Sequence, residues 1–367
     1  PFRLALIGDL PFGADGSTSH EVLRVLSEEA WDAAIHLGDL AGNLSDQEGL
    51  RGEQFLEMIQ PLASRVPYMT LAGDRDKLAF YSRFFRMPSS GNDPWYAFSL
   101  GPARFIMLWT ESLANLGADF QDTQAKRQLA WLERELEQAN TPETRTKQPW
   151  LLVAGHRPLY CSVLRPTCST EAARLRAVLE PLLGRYKVDM YLSAHVHAYE
   201  RTFAVLNGSL CASAEHCGPI HVVNGDAGDP PLQYHDLPAR WTVQRHPGQP
   251  GYGELTVLNT THLQYRQLEA ATGFATDEFW LVKPSLSDTD AAEEDFLESI
   301  YWLAFASAMI TGTCGFIKWV HEDGSKRRDE AVSHLRTEIA VLSGMPMKAA
   351  GSVREATRLI GGDAMGH

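Results

Sequence analysis

The segment Ser193-Ala194-His195-Val196-His197-Ala198-Tyr199-Glu200-Arg201 closes a short apolar run, Val188 to Leu192, and sets two histidines one residue apart. Side chains two positions apart on an extended chain share a face, so the pair can turn toward one site if the backbone stays strand-like or bends slightly at its end. That is metal-ligand spacing. Alone it is equally the spacing of two surface or core histidines, among 13 in the chain, and the decision rests on whether other ligands stand where strands end.

Three earlier runs end in that way. Phe2 to Ile7 leads into Gly8-Asp9, Ala34 to Leu37 into Gly38-Asp39, and Val66 to Leu71 into Gly73-Asp74-Arg75-Asp76. Helix-patterned segments, about His20 to Ala30 and Glu48 to Ala63, separate them, which is how a parallel sheet presents ligands at its carboxyl edge. Aspartate also opens turns on its own account, a role that explains each residue singly but not three on one side. A fourth run, Pro149 to Ala154, ends at Gly155-His156-Arg157-Pro158. Trp95 to Leu100 and Ala103 to Trp109 read as a hairpin, and Asp122 to Ala139 and Thr170 to Tyr186 as helices. Glu200 to Leu206, Ile220 to Asn224, Glu254 to Asn259 and Leu263 to Leu268 add strands. The strand-rich second half predicts an α/β fold of two packed mixed β-sheets flanked by helices rather than one doubly wound sheet.

The candidate metal ligands are therefore Asp9, Asp39, Asp74, His156, His195 and His197. Mixed carboxylates and imidazoles suit Zn, Fe or Mn, whereas an all-oxygen Mg or Ca site would not need three histidines. If Asp39 bridges, Asp9 and His197 can hold one ion while Asp74, His156 and His195 hold its neighbour. Buried carboxylates gathered without a cation repel one another. Two adjacent ions activate water and clamp phosphoryl oxygens.

These residues resemble a known family. Gly8-Asp9, Gly38-Asp39-Leu40, Gly73-Asp74 with Asp76, Gly155-His156-Arg157-Pro158-Leu159-Tyr160-Cys161 and Ala194 to Arg201 are similar, in order, to the motifs of purple acid phosphatases within the calcineurin-like metallophosphoesterases, most closely the long animal form. Pro219 to Gly228 and Gly251 to Val257 extend the resemblance over about residues 2 to 283. It implies a metallophosphoesterase-like four-layer sandwich and a phosphomonoesterase with two divalent or mixed-valence ions. Several positions depart from the pattern. The family has asparagine where this chain has Asp74, glycine at Pro11 and Ala194, and, at Gly42, the tyrosine ligand that gives the purple colour. Its phosphate-contacting histidine, which can also protonate the leaving group, is matched by Arg75, whose guanidinium grips phosphate but is a poor proton donor. Two function classes follow: an enzyme with Arg75 orienting substrate and Asp76 or water handling protons, or a catalytically silent extracellular scaffold or binding protein with one ion or none. A phosphodiesterase or nucleotide hydrolase would differ only in its substrate pocket.

Bulk properties frame these readings. The 367 residues, 44% of them apolar, suffice for one α/β domain of about 250 to 300 residues plus an appendage. A formal charge of -13 argues against a nucleic-acid partner. Cys161 with Cys168 and Cys211 with Cys217 flank short loops; they form two disulfides, or are four free thiols in a reducing compartment. Sequons at Asn43, Asn207 and Asn259 favour the secretory route, with the protein extracellular or membrane-anchored. An opening at Pro1-Phe2, directly on a strand, reads as a processed or excised form. Residues 1–283 form the phosphoesterase-type domain, 284–299 an acidic linker, 300–320 an apolar helix, and 321–367 a tail. The uncharged Ile300 to Ile317 reaches the lower end of a membrane span, with acidic flanks before and basic after; a buried or partner-packed helix is the other reading. His216, inside the Cys211 to Cys217 loop, is a candidate substrate contact. Asp226 and Asp229 read first as turn formers, Trp241 and Tyr252 as pocket aromatics or core, and Tyr160 as packing.

Overall fold

The computed structural model describes residues 1–284 apart from 13–16, 89–90, 92, 115–121, 212–216 and 247–248. The substrate candidate His216, almost all of the 284–299 linker, the 300–320 segment and the 321–367 tail lie outside the described residues. Among the described residues no helix is long and apolar enough to cross a membrane.

Among the described residues fourteen strands trace two large sheets, and Leu10–Pro11 (β2) and Leu40–Ala41 (β4) pair as a small ribbon. The six-stranded sheet contains Phe2–Ile7 (β1), Ala33–His36 (β3), Tyr68–Thr70 (β5), Gly251–Val257 (β14), His262–Glu269 (β15) and Ala275–Val282 (β16), in the order β16-β15-β14-β1-β3-β5. The eight-stranded sheet contains Tyr96–Leu100 (β6), Ala103–Leu108 (β7), Trp150–Gly155 (β8), Met190–Ser193 (β9), Tyr199–Leu206 (β10), Ser209–Leu210 (β11), Ile220–Asn224 (β12) and Thr242–His246 (β13). Its order is β11-β10-β12-β9-β8-β7-β6, with β13 paired to the other side of β10.

Alternation along the strands builds the layers. Leu4 and Leu6 of β1, Phe105 and Met107 of β7, Leu152 of β8 and Leu192 of β9 point into one buried cluster between the sheets. Ala5 and Ile7 face the other way, against Val22, Leu23 and Leu26 of the helix Ser17–Glu28 and Phe55 and Ile59 of Leu50–Ala63. On the far side Ile106, Leu108 and Val153 meet Leu132 and Leu136 of Thr123–Ala139 and Leu175 and Leu179 of Ala172–Arg185. Helix, sheet, sheet, helix is thus the layer order, the expected four-layer sandwich.

Within each sheet the central strands run parallel: β1, β3 and β5 in one, β7, β8, β9 and β12 in the other. Their carboxyl ends meet along one edge of the sandwich. Buried Asn224, at the end of β12, donates across the sheets to the Leu6 carbonyl at 3.1 Å and so fixes one edge against the other. Residues 1–283 form one compact unit. Of the two readings for the cysteines, disulfides hold, between Cys161 and Cys168 and between Cys211 and Cys217.

Candidate metal centre

Loops leaving six parallel strand ends converge at this edge. Asp9 follows β1, Asp39 follows β3, Asp74 to Asp76 follow β5, His156 and Arg157 follow β8, His195 and His197 follow β9, and Asp229 follows β12. Asp9, Asp39 and His195 hold φ of 56°, 54° and 66°, the left-handed region that residues with a Cβ avoid. Such conformations cost about 1–3 kcal/mol each and persist where surrounding structure over-determines them. The loops are also pressed together: a Cβ on Gly73 would stand 2.2 Å from Asp39 Oδ1, so only glycine fits there.

One half of the centre is tight. His195 Nδ1 lies 2.9 Å from Asp74 Oδ1 and 3.2 Å from His156 Nε2, and His156 Nε2 lies 3.1 Å from Asp74 Oδ1 and 3.4 Å from Asp39 Oδ1. His156 Nδ1 faces the Leu37 carbonyl at 2.8 Å; donating there leaves Nε2 for a proton or a metal. The shell behind it is built on Arg157, whose guanidinium reaches His195 Nε2 at 3.2 Å, Glu111 at 2.7 Å and also Glu171. Thr167 Oγ1 stands 3.2 Å from the same His195 nitrogen.

The electrostatics follow from that crowding. Burial opposes ionisation of Asp74, but hydrogen bonds from His156 and His195 hold its carboxyl well below the usual range. Burial likewise opposes a charged His156, yet Asp39 and Asp74 outweigh it and raise the imidazole well above its ordinary value. Burial dominates at His195 and pushes it down to about 4. Four donors from four loops thus enclose a point where one cation belongs, either a proton shared through His156 or a metal ion.

The other half is open. Asp9, His197 and Asp229 bring one donor atom each within 4.8 Å of one another. Arg75 lies among them, with Nε 3.2 Å from Asp39 Oδ2, one terminal nitrogen 2.9 Å from Asp229 Oδ2 and the other 3.3 Å from His197 Nε2. Asp9 is fully buried, and neither carboxylate oxygen has a hydrogen-bond partner. Burial first, then the neighbouring Asp39 and Asp229, raises its pKa well above the ordinary value. Orphaned buried oxygens beside a mixed oxygen and imidazole donor set fit a metal ion, so the residues present suit the group that the fold implies.

β9 ends at Ser193, the left-handed turn at His195 follows, and the two rings go to the two halves as the expected ligand sets have them, His195 with Asp74 and His156, and His197 with Asp9. Asp76, expected to handle protons, lies beneath the ligand loops with Oδ1 buried and without a hydrogen-bond partner. It is 4% exposed, its Oδ2 accepting from the amides of Gly73 at 2.9 Å and Leu40 at 3.2 Å, so it ties two ligand loops together. Burial, with Asp39 nearby, pushes it up to about 7. Arg157 and Asp229 are the residues that sequence reasoning undervalued; the signals were a cation directly after a ligand and an aspartate locked before Pro230-Pro231. Tyr160 packs under Trp241 and bonds Glu180, and Tyr252 is core against Trp31.

A two-sheet sandwich with carboxylates and histidines at its carboxyl edge defines the metallophosphoesterase class. Residues 2–199 match the calcineurin-like phosphoesterase family, and residues 218–278 match the family described as iron/zinc purple acid phosphatase-like protein C. Acid phosphatase type 7 of Homo sapiens is 33% identical over 303 residues, covering 77% of this chain and 68% of that protein. The Mus musculus protein of the same name is 33% identical over 305 residues with the same coverage. The structure of purple acid phosphatase PPD1 from yellow lupin seeds superposes with a TM-score of 0.63 at 25% identity, covering 77% of this chain and 53% of that one. The chain belongs to the calcineurin-like and purple acid phosphatase superfamily.

Proposed function

We propose that this protein hydrolyses phosphate monoesters in a metal-dependent reaction. The observation that carries the reading is the tight cluster of Asp39 Oδ1, Asp74 Oδ1, His156 Nε2 and His195 Nδ1, whose named contacts span 2.9–3.4 Å. Those four would hold one ion, and Asp9, Asp39 and His197 a second, with Fe, Zn and Mn the candidates. Bound divalent ions supply Lewis acidity and lower the pKa of water.

The chain's own residues do the rest. Arg75, its side chain 39% exposed, can turn its outer face to phosphoryl oxygens while anchored on Asp229. Arg157 backs Asp74, 3.6 Å from its Oδ2, Thr167 can accept the Nε2 proton of His195 when Nδ1 faces a metal, and Asp76 sets the spacing of the Asp39 and Asp74 loops. Arg75 stands where a proton-donating histidine is expected, and Asp76 faces backbone amides, so the leaving group departs with little help from a general acid. Aryl phosphates with acidic leaving groups are then cleaved in preference to alkyl phosphates.

The test is to supply Mn, Zn or Fe to the purified chain, measure bound metal, and compare phosphate release from p-nitrophenyl phosphate and glycerol phosphate. Turnover of the aryl ester at least about tenfold faster supports the reading. Bound metal without turnover at any pH supports instead the scaffold, which Gly42 and the Arg75 ion pairs to Asp39 and Asp229 favour. The two disulfides and the exposed sequon residues Asn207 and Asn259 support a secretory, extracellular location for either function.

A further inference from the structure

We infer that Asp229 is the ligand that replaces the missing tyrosine, so that this chain assembles a second metal position from Asp9, Asp39, His197 and Asp229. The inference rests on the proposal that the cluster binds metal, and it concerns only the open half.

Gly42 offers no ligand, and a Cβ built on it meets nothing closer than Pro11, 3.8 Å away. Asp229 comes instead from the loop after β12 of the eight-stranded sheet, with Oδ2 3.3 Å from His197 Nε2. His197 Nδ1 faces the Pro230 carbonyl at 3.0 Å; donating its proton there leaves a lone pair on Nε2. That lone pair and the Asp229 carboxylate are both acceptors, and the two terminal nitrogens of Arg75 reach them at 3.3 and 2.9 Å, so the place between them is one a cation suits. Their separation is close to the ~3.4 Å edge expected of two ligands each about 2.1 Å from one ion.

Asp9 supplies an independent observation. It is fully buried beside this pair and both of its oxygens lack any hydrogen-bond partner. A Cβ on Gly225 would stand 2.4 Å from Asp9 Oδ2, so the glycine after β12 lets the carboxylate occupy this place. Arg75 contacts Asp39, Asp229 and His197 but satisfies neither oxygen of Asp9. Three carboxylates face one guanidinium, which leaves charge for a further cation. A carboxylate carries the same charge as a phenolate and is a hard oxygen donor, so the exchange preserves the electrostatics of the position. The backbone suits the role: Pro230 restricts Asp229 to extended conformations, and the same Pro230 carbonyl orients His197.

The test reads metal content and colour. Elemental analysis and titration calorimetry on the whole chain should give two ions for the parent protein and one for Asp229→Asn, or a second ion weakened at least about tenfold. The double variant Gly42→Tyr with Asp229→Asn should regain the second ion and, loaded with iron, develop a visible tyrosinate absorption that the parent lacks. Arg75→Gln should keep two ions. Full occupancy with unchanged affinity in Asp229→Asn would overturn the inference. So would one ion in the parent and two in Arg75→Gln, which would make Arg75 the permanent second cation. A parent protein that binds no ion at all removes the metal proposal itself, a result distinct from either.

Discussion

The two halves of the centre share Asp39 and differ in how they are held. Around Asp74 the donors touch one another, and Arg157, anchored on Glu111 and Glu171, supports them from behind. Around Asp9 the donors stand apart, an arginine lies among them, and a buried carboxylate has no partner. One half is ordered by direct contacts among its donors, whereas the other is held through Arg75 and leaves Asp9 without a partner. The difference teaches that a substitution in a binding site matters according to which half it strikes: Arg75 stands in the open half and Asp74 in the tight one.

The largest effect should come from removing the tight half. His195→Ala takes away a donor that contacts both Asp74 and His156, and phosphate release should fall at least about 100-fold with loss of one ion by elemental analysis. Equal loss from His197→Ala, with the other ion retained, would erase the distinction between halves.

Acid should loosen the tight half next. The raised His156 must give up a proton when Nε2 takes a metal, while His195, pushed down to about 4, is already neutral above pH ~5. Affinity therefore falls as pH falls, by about tenfold per unit below the His156 value, since one proton is exchanged per ion. Calorimetry in buffers of different ionisation enthalpy counts that proton, and a count near zero would contradict the assignment.

The smallest effect should follow Asp76→Ala, which leaves every donor in place but frees the amides of Gly73 and Leu40. Two buried N–H groups lose their acceptor, costing about 1–3 kcal/mol in denaturant unfolding. Metal affinity should weaken in both halves together, because Asp39 is held through this link.

Most of the frame was legible in the sequence for a physical reason. β1, β3 and β8 are short apolar runs bounded by glycine, and their burial on both faces makes them stand out from their surroundings. The strands β13 and β16 were not legible. Thr242–His246 is half-buried and mostly polar, and Ala275–Val282 is an edge strand whose first half carries Thr276, Asp277 and Glu278, so its short apolar end Phe279 to Val282 does not read as a whole strand. In the site, donor identity could be read because each aspartate or histidine follows a strand end, His195 and His197 the same one. Donor grouping was legible as well: Asp74, His156 and His195 come together as expected and His197 joins Asp9, with the left-handed turn at His195 parting the two rings. Asp229 escaped because Gly-Asp-Pro-Pro is locally a turn, and its partner His197 is brought to it only by the pairing of β9 with β12.

The Asn224 link between the sheets bears on how the molecule is made. The donors run from Asp9 to Asp229, and the six-stranded sheet is completed only when β14 returns to lie beside β1. Contacts so distant in sequence form late, after their loop-closure entropy has been met. A chain ending before β12 lacks Asp229 and the Asn224 link, so the full donor set comes together only once one sheet has docked on the other.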